Sequence, residues 1–85
     1  MLRDVVNVKP AGGYRVWLQF DDGVEGEVDI ARLVPFTGVF EPLKDPLVFA
    51  SVQVNGDLGT IVWPTGADID PVVLYENVRR VDAAH

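Results

Sequence analysis

The chain has 85 residues, 48% of them hydrophobic, with a formal charge of −6 and no cysteine. That length fits a single domain over residues 1–85, and a domain of this size hides roughly 60–65% of its unfolded surface, so modest stability or support from a partner is expected. The missing cysteines exclude disulfides, thiolate zinc sites and cysteine nucleophiles.

No apolar run approaches the ~20 residues needed to span a bilayer, and the start Met1-Leu2-Arg3-Asp4 lacks the apolar segment of a signal peptide. A soluble cytoplasmic protein with no membrane partner is the expectation. Charge is unevenly spread. Asp21, Asp22, Glu25, Glu27 and Asp29 form one run without a base, and Asp45, Asp57, Asp68, Asp70 and Glu76 form a second, between Lys44 and Arg79. Such a surface repels phosphate backbones, which argues against direct nucleic-acid binding and for a basic protein partner or a cation. The same acids also serve simply to keep a small protein in solution.

Residues 4–9 are rich in β-branched side chains and end at Pro10-Ala11-Gly12-Gly13, a first strand closing into a hairpin. From Tyr14 to Phe20 the alternation places Tyr14, Val16, Leu18 and Phe20 on one face and Arg15, Trp17 and Gln19 on the other. Asp21-Asp22-Gly23 predicts a three-residue hairpin loop with Gly23 in the left-handed position, followed by a third strand from Val24 to Ile30. That loop sets a register: Phe20 opposite Val24, Val16 opposite Val28, Trp17 opposite Glu27 and Arg15 opposite Asp29.

Asp29 is suited to cap a short turn of helix, Ile30 to Val34, ended by Pro35. Residues 36–43 alternate apolar side chains with Gly and Pro and read as a packed irregular link supplying Phe36, Phe40 and Leu43 to the core. Asp45-Pro46 then opens a turn or two of helix, with Phe49 inward. Val52-Gln53-Val54 and Gly59–Trp63 form two further strands around Asn55-Gly56, and Pro64 stops the second. After a loop at Thr65-Gly66-Ala67, Asp70 caps and Pro71 opens a helix to about Arg80, with Leu74, Val78 and Val81 on one face and Arg79-Arg80 in its last turn. The tail from Asp82 to His85 is expected to fray. The whole predicts an α+β fold: an antiparallel β-sheet of about five strands, short helices and one C-terminal helix.

Four features bear on function. Asp68 and Asp70 are suited to hold a hard cation or to do acid–base work, but calcium-loop spacing and a glutamate twelve positions on are missing, and Asp70 reads first as a cap. Trp63 beside Pro64 is either a core plug or a rigid recognition platform. Trp17, set among charges, is either covered by a second layer or an exposed anchor for an interface or for self-association. Finally, Ser51 is the only serine and His85 the only histidine, so no nucleophilic triad forms without an ordered terminus, and no phosphate-binding glycine loop is present. The chain is therefore not expected to be an enzyme, and no cofactor is expected.

The combination Tyr14-x-Val16-x-Leu18-x-Phe20-x-Asp22-Gly23, Gly26-x-Val28-Asp29, Phe49, and Gly59-Thr60-Ile61-x-Trp63-Pro64-x-Gly66-x-Asp68-Ile69 through Leu74-Tyr75 resembles the small bacterial proteins grouped as domain of unknown function 2442. The resemblance runs from about Leu2 to Tyr75, and its specificity rests on Trp63-Pro64-x-Gly66-x-Asp68 followed by Pro71 and Leu74-Tyr75. It implies an α+β domain with antiparallel strands and no established activity. Members resemble stand-alone short proteins or the front of longer ones that add a helix-turn-helix region. Some are encoded beside another small protein, an arrangement that suggests the antitoxin half of a toxin–antitoxin pair. This chain ends soon after Tyr75, where a helix-turn-helix would begin, so that region is not expected here.

Two functional expectations follow. The first is a protein-interaction module, antitoxin-like, that meets a basic partner through an acidic face containing Trp17, Glu25 and Glu27. The alternative is a small ligand- or cation-sensing regulatory domain with its site in the loop from Trp63 to Asp70, where Trp63 and Asp68 are the exposed candidates.

Overall fold

In the computed structural model the described residues are 4–83, with side chains through Val78. Strands β1 (Val5–Pro10), β2 (Arg15–Phe20) and β3 (Glu25–Asp29) form an antiparallel sheet in that order. The β2–β3 turn has the expected three-residue form: Phe20 N–H donates to the Val24 carbonyl (2.8 Å), Gly23 N–H to the Phe20 carbonyl (3.0 Å), and Gly23 has φ +90°. A backbone conformation that L side chains rarely adopt thus fixes the hairpin, and with it the register. Arg15 faces Asp29, Val16 faces Val28 and Trp17 faces Glu27, as the loop type dictates. β1 carries an irregularity between Val5 and Asn7, beyond which Val8 faces Leu18 and Lys9 faces Trp17.

The inner face of this sheet holds Val16, Leu18, Phe20 and Val28, all buried. Asp29 caps α1 (Ile30–Leu33) by accepting from Ala31 N–H at 3.1 Å. Residues 36–43, expected to be irregular, are more ordered than that, because Gly38–Lys44 winds into a 3-10 helix. Pro42 removes an N–H there, a loss that a short 3-10 segment can carry. Leu43 is buried and Phe36 and Phe40 are partly buried against the core. Asp45 caps α2 (Pro46–Phe49) through Leu47 N–H, and Phe49 points inward as expected.

The five strands divide into two sheets rather than one. β4 (Gln53–Asn55) and β5 (Thr60–Val62) form a separate hairpin, joined to the first sheet by Val5 N–H donating to the Gly59 carbonyl at 2.9 Å. The left-handed residue of its turn is Gly59 (φ +69°), not Gly56, while the Asn55 carboxamide oxygen accepts from Asp57 and Leu58 N–H. A side chain at Gly59 would also strike the Asp4 carboxylate. The strand-stop at Pro64 is followed by a second copy of the β2–β3 turn: Trp63 N–H donates to Ala67 O and Gly66 N–H to Trp63 O, both at 2.9 Å, with Gly66 at φ +93°. The chain therefore doubles back on β5, bridging Val62 to Asp68, before Asp70 caps α3 (Pro71–Ala83) through Val72 N–H at 2.8 Å.

α3 lies against β3, burying Leu74 and Val78. Gly26 permits the approach, since a Cβ there would sit 3.3 Å from Val78 Cγ1. The helix continues to Ala83, three residues past its expected end. The side chains of Arg79, Arg80, Val81 and Asp82, and His85 as a whole, lie outside the described residues.

Candidate protein-interaction face

The outer face of the first sheet is where strict alternation leaves polar side chains, and its geometry follows from the register. One cross-strand row runs Lys9–Trp17–Glu27 and the next Asn7–Gln19–Glu25, while Arg15 sits opposite Asp29. Trp17 is partly exposed and does not belong to the hydrophobic core. No second layer of described residues covers it. Instead the Lys9 ammonium sits 5.6 Å from the centre of its ring, within cation–π range.

Arg15 reaches diagonally to Glu27, 3.3 Å from Nη1 to Oε1, and Gln19 Nε2 donates to Glu25 Oε2 at 3.4 Å. Both members of the Arg15–Glu27 pair are about half exposed, so it adds little stability. The acid run that looked free of bases in the sequence thus meets one, Arg15, supplied by the neighbouring strand β2, while Lys9 on β1 lies against Trp17. Of its five acids, Asp29 caps α1 and Asp22 accepts from the Tyr75 hydroxyl at 2.6 Å and from Val24 N–H. Glu25 and Glu27 are exposed, and they project from the same side of an edge strand.

The second group of candidates is not brought together with the first. Trp63 is 2% exposed and its indole N–H donates to the Phe49 carbonyl at 3.0 Å. It plugs the core beside Phe49, which in turn meets Tyr14 and Phe36 edge-on or tilted. It is therefore closed to a partner. The Trp63-to-Asp70 segment is a tight turn that returns to β5 by a single bridge, Val62 to Asp68, and within it Asp70 is committed to the helix cap. Asp68 is exposed and its carboxylate makes no hydrogen bond among the described residues. Among those residues no group of three or more His, Asp or Glu is placed to share a metal ion.

Two contacts escaped the sequence reading. The Tyr75–Asp22 hydrogen bond joins residues 53 apart, and no local pattern announces it. The placement of Lys9 over Trp17 depends on a register set by the turn through Gly12 and Gly13, where Ala11 N–H donates to the Arg15 carbonyl. Counting residues from that turn type would have located it.

A family model described as Protein of unknown function (DUF2442) matches residues 5–80, nearly the whole chain. No curated protein and no solved structure matches it significantly. No helix among the described residues is long and apolar enough to cross a membrane.

Proposed function

The chain belongs to the DUF2442 family of proteins of unknown function, and from that premise we propose that it is a protein-interaction module whose outer sheet face, Trp17 with Glu25 and Glu27, meets a basic protein partner. The supporting observation is a partly exposed tryptophan outside the core, flanked by two exposed glutamates on a face that no described residue covers. Aromatic side chains that are rigid and half-desolvated at the start lose little freedom on docking, which is why they recur as anchors. Glutamates around such an anchor steer a cationic partner and set its orientation.

The antitoxin-like form of this reading adds that the partner is a small basic protein encoded next to this one. Co-expression with the neighbouring gene product, followed by purification at low and at high salt, tests it. Co-purification that weakens as salt rises is the expected result; separation under both conditions removes the idea. Glu25→Lys with Glu27→Lys should lower the association rate more than it raises the dissociation rate, read by surface plasmon resonance. The ligand-sensing alternative receives less support from the geometry, because its segment presents one open carboxylate, Asp68, and a buried tryptophan.

A further inference from the structure

The sheet has two edges, and they are finished differently. On β1, Val5 N–H is taken by Gly59 and Val8 N–H by the side chain of its own neighbour Asn7 (3.1 Å), while Pro10 has no N–H to offer. An edge treated in this way cannot template another strand.

On β3 the parity of the ladder is fixed at both ends. Phe20 N–H bonds to Val24 O and Ile30 N–H to Tyr14 O, each at 2.8 Å, so the inward-facing main chain is that of residues 24, 26, 28 and 30. The N–H and C=O groups of Glu25 and Glu27 therefore point away from β2. Among the described residues none of these four groups has a hydrogen-bond partner. Helix α3 packs beneath Gly26, on the inner face, and leaves the two glutamate side chains exposed on the other.

We propose that the free edge of β3 accepts an extended segment of the basic partner as a fourth strand, antiparallel, with Arg or Lys at alternate positions opposite Glu25 and Glu27. This rests on the interaction reading above and names how the partner is held. Side chains two residues apart on a strand repeat about every 6.6–6.8 Å on one face, so the two glutamates read a basic residue at every second position. The main chain supplies two donors and two acceptors, and the charges choose the occupant. A second copy of this chain is a poor occupant at neutral pH, because pairing edge to edge would put glutamates against glutamates.

The test uses the full chain and an N-acetylated octapeptide alternating arginine and valine. Its binding is followed by Trp17 fluorescence, and amide hydrogen exchange by NMR. The expected result is that the amides of Glu25 and Glu27 slow by about tenfold or more when peptide is added. Glu25→Gln with Glu27→Gln should weaken binding, whereas an octapeptide N-methylated at its arginines should bind poorly although it keeps their charge. Binding that depends on the glutamates but leaves both amides unprotected, or is indifferent to N-methylation, overturns the strand pairing while leaving the acidic-face reading intact. No binding of the octapeptide overturns the strand pairing, and co-purification with the neighbouring protein still decides the broader reading. Protection that grows with protein concentration without peptide overturns the basic occupant in favour of a second copy.

Discussion

The two tryptophans occupy opposite faces of the same architecture and show what an identical side chain does in different company. Trp63 ends a strand that turns straight back on itself, so its ring is enclosed by Phe49 and its one polar atom is satisfied by a carbonyl. Trp17 sits mid-strand on the face that no described residue covers, and its ring is met by a lysine rather than by the core. The first therefore holds the fold together and the second stays partly open to solvent. A buried aromatic that loses its packing leaves a cavity, whereas a partly exposed one outside the core gives up fewer such contacts.

This contrast makes Trp63→Ala the most damaging of the substitutions considered, at about 3–5 kcal/mol of stability by urea unfolding. A loss under about 1 kcal/mol would place Trp63 outside the core. Trp63→Phe keeps an aromatic but orphans the Phe49 carbonyl, and should cost about 1–3 kcal/mol, partly through lost volume. Tyr75→Phe removes the hydroxyl that ties α3 to the β2–β3 turn, with an expected cost of about 0.5–1.5 kcal/mol. The same variant should raise hydrogen exchange in α3 more than in β1, and equal changes would show that the hydrogen bond does not couple helix to hairpin. Smallest in stability is Trp17→Ala, expected within about 0.5–1 kcal/mol of the parent. Its effect should appear instead as lost affinity for the proposed basic partner. A Trp17→Ala protein as unstable as the Trp63→Ala one would make both residues structural and abolish the contrast.

Much of the local fold could be read from residues whose backbone leaves little choice. Gly23 after two aspartates specified one loop type, and that loop specified the register of four cross-strand pairs. Asp29, Asp45 and Asp70 each precede a helix and each accepts from the N–H two residues on. Other features resisted reading. Trp63-Pro64-Thr65-Gly66-Ala67 repeats the Phe20–Val24 turn, yet Pro64 read as a stop, because proline removes one donor without revealing that its neighbours still close the loop. The Asn55-Gly56 signal marked the turn, but its left-handed residue is Gly59, where a side chain would also meet distant Asp4.

For the site, alternation alone placed Trp17, Glu25 and Glu27 on one face, because the period of a strand decides which way a side chain points. Whether that face was covered, which cations would reach it, and which edge of the sheet stayed open depended on the third dimension. Lys9 reaches Trp17, and Arg15 reaches Glu27, only after three strands align. β3 keeps its outward N–H groups while β1 loses them to Gly59 and Asn7. The sequence by itself determined the strands, the caps and the polarity of their surfaces, since these follow from side-chain chemistry within a few residues. Only the tertiary structure decided that one tryptophan is sealed and the other accessible, because burial is a property of what arrives from elsewhere in the chain.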